Sequence, residues 1–279
     1  MTDGTGAKPR RGRRLLTWVL AILVLVGGSG LAGYFYLHRN LNPGCQAPPT
    51  TSVCTRIFFV GNSYTAVNDL PTVFANLAWS GGHRVETGVE APNGWTFIDH
   101  KLSADLDAKL SSTKWDLVVL QEQSQISSVE WLRQSDMYPA AHDLVAKIRA
   151  AGAQPLFFLT WAHRDGWPVN GLPDYSSMQS SIDAGYLFIA RQEHSAVAPV
   201  GYAWMEVVKQ SSDSGLWQDD GNHPSTKGTY LAACVFYASI FHESPAGLQY
   251  HAFLPDSDAS QAQEAAASTV LGDPSKWAA

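Results

Sequence analysis

The strongest single candidate for a reactive residue in this sequence is a serine that closely follows an apolar segment. Ser63 lies in the run Gly61–Thr65 (GNSYT), directly after Arg56–Val60 (RIFFV). The apolar segment is typical of a buried strand, so Ser63 is expected at a strand-to-loop turn, where a hydroxyl can be a nucleophile. The glycine permits a sharp bend, and exposed N–H groups can face an oxyanion. Taken alone, Gly-x-Ser also fits an ordinary turn.

A histidine with a nearby aspartate follows much later in the chain. The loop Trp217–Pro224 (WQDDGNHP) places Asp220 three residues before His223. On a loop, that spacing allows the carboxylate to accept the Nδ1–H of the imidazole, which leaves Nε2 free as a base toward a hydroxyl. Considered alone, the pair equally fits a surface ion pair.

Short and long apolar segments alternate between these two motifs. The short ones are continuously apolar, as in strands buried on both faces, and the long ones are amphipathic, as in helices. This alternation predicts a parallel sheet with helices on both faces, in which ligands bind beyond the carboxyl ends of the strands. The predicted strands are Arg56–Val60, Trp115–Leu120, Gln154–Thr160 and Ala196–Val200, and the predicted helices are Leu70–Trp79, Thr96–Leu110, Met137–Ala151, Tyr175–His194 and Tyr202–Gln210.

The two motifs together resemble the first and fifth blocks of the SGNH hydrolase superfamily, which includes the GDSL esterases. GNSY follows the first strand, DGNHP precedes the last helix, and the resemblance extends over Arg56–His242. It implies a flavodoxin-like three-layer α/β/α fold with a parallel sheet. It also implies a catalytic triad of Ser63, His223 and Asp220. Asn62 stands where the GDS motif has aspartate, a variant that the superfamily tolerates.

The resemblance further implies an oxyanion hole formed by the backbone N–H groups of Ser63 and Gly94 and by an amide side chain. The superfamily usually supplies that amide from Gly-x-Asn-Asp, whereas this chain reads Gln121–Gln125 (QEQSQ). Glutamine carries the same NH₂ group as asparagine on a longer stem. Strand alternation places Gln121 and Gln123 on one face, so spacing does not choose between them. Reach favours Gln123, which stands further beyond the strand.

Three further side chains at predicted strand ends could contact a substrate. Trp95 and Trp161 are expected where an aromatic ring can stack on a sugar. His163 follows the fourth strand and could also bind substrate, although a solvated loop position fits it as well. The sequence shows no Cys/His spacing typical of zinc, and serine acyl transfer requires no metal or organic cofactor.

The first 40 residues differ from the rest in charge. They hold six Lys or Arg and one Asp, whereas residues 41–279 hold thirteen Lys or Arg and twenty-four Asp or Glu. The acidic remainder argues against a nucleic-acid partner, because a phosphate backbone requires a basic surface.

Residues 15–37 form an uncharged segment long enough to cross a bilayer as a helix. Five basic residues precede it, which predicts that the N-terminus is cytoplasmic. The predicted organisation is a cytoplasmic tail at 1–14, a transmembrane anchor at 15–37, a stalk at 38–55 and the hydrolase-like domain at 56–279. A cleaved signal peptide is the alternative for this segment, and it exports the domain equally.

Two of the three cysteines fit an exported protein. Cys45 and Cys54 lie nine positions apart in the predicted stalk, where a disulfide persists outside the cytosol, and we expect them to pair. Cys234 lies in an apolar run and is expected to be a buried thiol.

The sequence thus predicts a single-pass membrane protein with an extracytoplasmic serine esterase domain. The expected substrate is an acyl ester, especially an acetyl ester, on a carbohydrate of the cell envelope. The same triad would serve an O-acyltransferase if a sugar hydroxyl replaced water. The non-enzymatic alternative is a module that binds glycan or envelope and has lost catalysis.

Overall fold

The continuously apolar segments form a parallel sheet. The structure is a computed structural model that describes residues 41–46, 53–211 and 213–278. In this part of the chain, five parallel strands pair in the order β2-β1-β3-β4-β5, which is the flavodoxin-like order. The strands are β1 (Cys54–Val60), β2 (Arg84–Glu90), β3 (Leu117–Leu120), β4 (Gln154–Phe158) and β5 (Ala196–Ala198).

Helices connect the strands and follow the last one. They are α1 (Ser63–Ala66), α2 (Leu70–Ser80), α3 (Phe97–Lys101), α4 (Ala104–Ser112), α5 (Ser124–Ser128), α6 (Glu130–Leu132), α7 (Tyr138–Ala150), α8 (Tyr175–Gln192), α9 (Val200–Gln210), α10 (Thr226–Phe241) and α11 (Asp256–Leu271). A π-helical turn, Arg133–Met137, joins α6 to α7, and 3₁₀ turns lie at Val67–Asp69, Pro168–Asn170 and Pro274–Lys276.

Alternation along β1 divides the core between the two faces of the sheet. Phe58 stacks on Trp115 at 5.1 Å on the face covered by α3, α4, α7 and α8. Phe59 points to the other face and packs edge-on against Phe236 of α10 at 5.4 Å, with α2, α9 and α11 beside it. Successive side chains of a strand point to opposite faces, so both faces of this strand are buried. The predicted three-layer α/β/α fold with a parallel sheet is confirmed.

Some elements differ from the prediction for local reasons. The predicted helix Thr96–Leu110 is broken in two, because the Ser103 hydroxyl accepts from Leu106 N at 3.1 Å and caps a new helix, α4. The fourth strand ends at Phe158, two residues earlier than predicted. The Ala-rich tail, in which no element was predicted, forms α11.

Part of the predicted stalk belongs to the folded domain. Strand β1 begins at Cys54, and the structure joins Cys54 to Cys45 in a disulfide with a Cα–Cα distance of 5.4 Å. Asn42 is buried, and its Nδ2 donates to the carbonyl of Val85 at 2.8 Å. The chain is therefore fastened to the amino ends of β1 and β2 before the first strand starts.

The predicted cytoplasmic tail and membrane segment, residues 1–14 and 15–37, lie outside the described residues. Within the ranges that the structure describes, no helix combines the length and the apolar character needed to cross a bilayer.

Candidate active site

The candidate site lies at the carboxyl edge of the sheet, where parallel strands deliver their following loops to one place. The loop after β1 carries Ser63, the loop after β2 carries Gly94, the loop after β3 carries Gln123, and the loop before α10 carries His223. All four residues line one open cavity of about 600 Å³. The sequence motifs are thus brought together from distant parts of the chain.

The structure arranges Ser63, His223 and Asp220 as a hydrogen-bonded series. His223 Nε2 is 2.9 Å from Ser63 Oγ, and His223 Nδ1 is 2.6 Å from Asp220 Oδ2. The other carboxylate oxygen accepts from the backbone N–H groups of Asn222 and His223. Partial burial raises the pKa of Asp220, but these hydrogen bonds outweigh it and leave the pKa below its usual value. The carboxylate therefore stays ionised and fixes the tautomer with Nε2 toward the serine.

The loop that carries Ser63, the predicted nucleophile, is called the nucleophile loop, and it needs a glycine at position 61 because other groups approach this position closely. A Cβ on Gly61 would lie 2.5 Å from both Gln121 Oε1 and Thr65 Oγ1. Gly61 does not have a positive φ. The glycine is thus needed because Gln121 and Thr65 lie so close to it, and not for the sharp bend that the sequence suggested. Asn62 caps α1, because its Oδ1 accepts from Tyr64 N at 3.2 Å.

Gln121 has no hydrogen left for an oxyanion. It is fully buried, its Oε1 accepts from Asn62 N at 2.9 Å and from Thr65 Oγ1 at 3.0 Å, and its Nε2 donates to Asn62 Oδ1 at 3.0 Å and to Glu122 O at 2.8 Å. The prediction that Gln121 could donate to an oxyanion is therefore wrong. Its amide instead holds the nucleophile loop in place.

Gln123 differs because its side chain faces the cavity. Its Oε1 accepts from Gln125 N at 2.7 Å and from Ile126 N at 3.0 Å, which caps α5 and fixes the plane of the amide. Its Nε2 donates to Gln125 Oε1 at 3.2 Å, and an amide nitrogen has a second hydrogen. Of the two glutamines, Gln123 is the one placed with Ser63 and Gly94.

Two backbone N–H groups complete this side of the cavity. Gly94 has φ +75°, a conformation that favours glycine, and nothing lies within 4 Å of the position that a Cβ would take. In the part of the chain that the structure describes, neither Gly94 N–H nor Ser63 N–H has a hydrogen-bond acceptor. Both remain available to a negatively charged oxygen.

The rest of the cavity is lined mainly by neutral amides. Asn93, Gln218 and Asn222 line it, and Val67 is the aliphatic residue among the remaining lining residues. Sequence reasoning missed all four, although Asn93 and Asn222 lie next to motif residues. Among the described residues, no group of three or more His, Cys, Asp or Glu side chains is placed to hold a metal ion.

The structure contradicts one of the three predicted substrate contacts. Trp161 is fully buried, and its Nε1 donates to Asn222 O at 3.0 Å, so the prediction that it stacks on a sugar is wrong. Trp95 is half-buried, and its ring packs edge-on against His100 with the ring centroids 5.1 Å apart. His163 is also half-buried, with Nε2 3.1 Å from Ser124 Oγ, and burial lowers its pKa despite the field of Asp220.

Tyr64 joins the segment of Ser63 to the loop that carries His223. Its hydroxyl hydrogen-bonds to Asn222 Oδ1, and its ring stacks on Trp161 at 4.4 Å. Burial raises the pKa of Tyr64 well above its ordinary value, so the hydroxyl keeps its hydrogen and donates. Sequence reasoning missed this residue, although it directly follows Ser63.

Glu122 is a buried acid behind the site that sequence reasoning also missed. Its carboxyl group accepts from Gln123 N at 2.7 Å and from Phe97 N at 3.2 Å, which links the loop after β3 to α3. Burial raises the pKa of Glu122 to about 8, against the lowering effect of these two hydrogen bonds.

Comparisons with known proteins agree with this geometry. No protein-family model matches the chain, and the search of curated protein sequences finds no match. Among solved structures, a protein from Slackia heliotrinireducens described as a candidate SGNH hydrolase is 26% identical, with a TM-score of 0.58 over 67% of this chain and 100% of its own.

Two further structures share the fold at lower identity. A DUF4886 family protein from Bacteroides uniformis is 19% identical, with a TM-score of 0.65 over 78% of this chain and 95% of its own. An acetylxylan esterase from Geobacillus stearothermophilus is 17% identical, with a TM-score of 0.51 over 65% of this chain and 92% of its own. The resemblance to the SGNH hydrolase superfamily is thereby confirmed, and the other two structures share the fold.

Proposed function

We propose that this protein is a serine esterase that cleaves short acyl esters on a carbohydrate. The observation that carries the proposal is the series Ser63–His223–Asp220, with spacings of 2.9 and 2.6 Å, at a cavity that also holds two N–H groups with no acceptor among the described residues. A serine hydroxyl needs an adjacent base to become nucleophilic, and the base needs a third group to orient it.

The geometry supports a two-step acyl transfer. His223 Nε2 accepts the hydroxyl proton while Ser63 Oγ forms a bond to the ester carbonyl carbon. The N–H groups of Ser63 and Gly94 and the Gln123 amide stabilise the oxyanion. The proton on His223 then passes to the leaving alcohol, and the acyl group stays on Ser63. Water attacks the acyl-enzyme with His223 again as base, which releases the acid and restores the serine.

The lining of the cavity favours a polar alcohol and a small acyl group. Asn93, Gln218 and Asn222 offer donors and acceptors that suit sugar hydroxyls, whereas Val67 alone offers little apolar surface for a long acyl chain. One structural neighbour is named as an acetylxylan esterase, which supports an acetylated carbohydrate as the substrate class.

We also propose that the enzyme is exported and held at the cell membrane by residues 15–37. The basic residues before this apolar segment and the disulfide between Cys45 and Cys54 support an extracytoplasmic domain, because disulfides persist in oxidising compartments. Fractionation of cells with and without external protease tests this proposal, and a soluble mature form that starts near Gly33 would contradict the anchor.

The enzymatic proposal is tested with the full-length protein on acetylated sugars and on aryl esters of increasing acyl length. We expect hydrolysis of acetyl esters that declines as the acyl chain lengthens. Ser63→Ala and His223→Ala should each lower kcat by several powers of ten, and Asp220→Ala by somewhat less. Ser180→Ala changes an exposed serine on α8 and serves as the control with unchanged kinetics.

Other outcomes would separate the alternatives. Acyl transfer to an added sugar at the expense of hydrolysis would identify an O-acyltransferase. No hydrolysis of any ester, together with no labelling of Ser63 by a fluorophosphonate, would contradict the enzymatic proposal and leave a glycan-binding module. A larger loss in Asp219→Ala than in Asp220→Ala would show that another carboxylate orients His223.

A further inference from the structure

A second histidine–carboxylate pair lies beneath the nucleophile loop, outside the triad. His100 on α3 is fully buried, with Nε2 2.7 Å from the carbonyl oxygen of Gly61 and Nδ1 3.2 Å from Glu90 Oε1. Glu90, the last residue of β2, is also buried. A carbonyl oxygen only accepts, so His100 Nε2 carries a hydrogen and donates it to Gly61.

The carboxylate holds the imidazole in this orientation. A hydrogen also lies between His100 Nδ1 and Glu90 Oε1, since two bare acceptors would repel each other at that distance. The charged group that faces Glu90 from α4 is Lys109, whose Nζ is 3.6 Å from Oε2. Buried ionisable groups are costly unless they are paired and hydrogen-bonded. His100 and Glu90 therefore have to keep this hydrogen-bonded arrangement for their burial to be tolerated.

The peptide group between Gly61 and Asn62 is fixed on both sides as a result. Its carbonyl accepts from His100 Nε2, and its N–H donates to Gln121 Oε1 at 2.9 Å. The N–H of Gly61 itself donates to the carbonyl of Glu90 at 3.0 Å. Ser63, the proposed nucleophile, directly follows Asn62, so these bonds determine where the serine begins.

His100 also belongs to the segment that carries the second backbone donor of the oxyanion hole. Its ring packs 5.1 Å from Trp95, the residue after Gly94. The Nδ2 of Asn62 donates to the carbonyl of Trp95 at 2.9 Å, which is a second link between the same two loops. The loop with Ser63 N–H and the loop with Gly94 N–H are thus joined through His100.

We propose that His100, oriented by Glu90, is a positioning residue that sets the spacing between the nucleophile loop and the oxyanion loop. It acts through Gly61 and Trp95 and contacts no reacting atom. Its effect on catalysis rests on the proposed esterase function, whereas its effect on the loop does not.

Two substitutions at position 100 separate the bond to Gly61 from the volume of the ring. Glutamine places an amide nitrogen near the position of Nε2, and asparagine places one near Nδ1, too far from Gly61. His100→Asn should lower kcat about 10- to 100-fold with little change in KM, because misplacement of a reacting group by about 1 Å has a cost of that order. His100→Gln should retain kcat within about threefold, since it restores one neutral hydrogen bond of modest net strength.

Gln263→Ala is the matched control for loss of stability. Gln263 is a buried residue of α11 that makes three hydrogen bonds remote from the site, to Gly247, Leu248 and Tyr230. It should lower the melting temperature as His100→Asn does, with kcat unchanged. Normal kcat in His100→Asn, or equal losses in His100→Asn and His100→Gln, would overturn the proposal.

Hydrogen exchange tests the same contact without catalysis. In Ser63→Ala protein, the Asn62 amide should exchange slowly, and it should exchange faster in Ser63→Ala/His100→Asn but not in Ser63→Ala/Gln263→Ala. Unchanged protection in the His100→Asn form would overturn the proposal. If the wild-type protein hydrolyses no ester but this protection is lost on substitution, His100 positions the loop and the proposed esterase function alone is wrong.

Discussion

Two glutamines in the segment Gln121–Gln125 show how much depends on the hydrogen-bond partners of a single side chain. Gln121 and Gln123 have the same chemistry and the same predicted face, so no pattern in the sequence separates them. The structure separates them because all four hydrogen-bonding positions of Gln121 are occupied by the protein, whereas Gln123 reaches the cavity. Hydrogen-bond partners depend on three-dimensional packing, which spacing alone does not define.

Gln123→Ala should therefore lower kcat by about 10²–10³ with little change in KM, because an oxyanion donor acts mainly in the transition state. Gln121→Ala should instead lower the melting temperature, since it leaves buried donors and acceptors of the nucleophile loop without partners. Steady-state kinetics and thermal unfolding of both variants measure the contrast. Near-normal kcat in Gln123→Ala would mean that the oxyanion hole consists of backbone N–H groups only.

At the scale of elements, the site depends on contacts between loops that are far apart in sequence. Trp161 stacks between Tyr64 and Trp204, at 4.4 and 4.2 Å, and its Nε1 holds the Asn222 carbonyl. An aromatic stack thus supports the loop that presents His223. The sequence correctly predicted that Trp161 follows the fourth strand, but it did not predict which way the ring points. A ring at a strand end can point either into the core or into the cavity.

The Tyr64 hydroxyl is expected to align the nucleophile with the base. Tyr64→Phe removes the hydrogen bond to Asn222 and keeps the stack on Trp161, so kcat should fall about fivefold, equivalent to about 1 kcal/mol for one hydrogen bond, with KM unchanged. Tyr230→Phe removes the hydroxyl of another buried tyrosine, one bonded to Tyr250 O away from the site, and should leave kcat unchanged. Equal kinetics in both variants would contradict an aligning role.

Element boundaries were predictable where a strand is apolar on both faces and less so elsewhere. β1, β3 and β4 were recognised from their continuous apolar runs, but β2 (RVETGVE) has no such run because it is an edge strand with an exposed side. The break between α3 and α4 depends on one serine hydroxyl, and a serine within an amphipathic segment predicts a cap only weakly. The order of the GNSY and DGNHP motifs along the chain was enough to recognise the superfamily.

Two of the buried acids in the described part of the chain, Glu122 and Asp183, should affect the stability of the whole molecule. Burial raises the pKa of Glu122 to about 8 and that of Asp183 to about 7. Between the ordinary pKa of a carboxyl group and these values, the folded protein keeps protons that the unfolded chain releases. The free energy of unfolding therefore falls as the pH rises through this window.

Denaturant unfolding from pH 5 to pH 8 should show this decline, with a slope of up to about 1.4 kcal/mol per pH unit for each proton retained. Glu122→Gln keeps an acceptor for Gln123 N and Phe97 N but cannot titrate, so its profile should be flatter. Glu264→Gln, on the exposed side of α11, should follow the wild-type profile. A Glu122→Gln profile as steep as that of the wild type would show that Glu122 is already ionised in the folded protein.

The attachment of residues 41–45 to one end of the sheet determines which end of the domain stays open. Asn42 and the disulfide hold the incoming chain at the amino ends of β1 and β2, whereas the cavity opens at the carboxyl ends of the same strands. Because all five strands are parallel, these two ends are opposite poles of the domain. The point of attachment and the mouth of the cleft therefore do not compete for space. If the proposed anchor holds one pole at a membrane, a substrate as bulky as a glycan chain can still reach the cavity at the other pole.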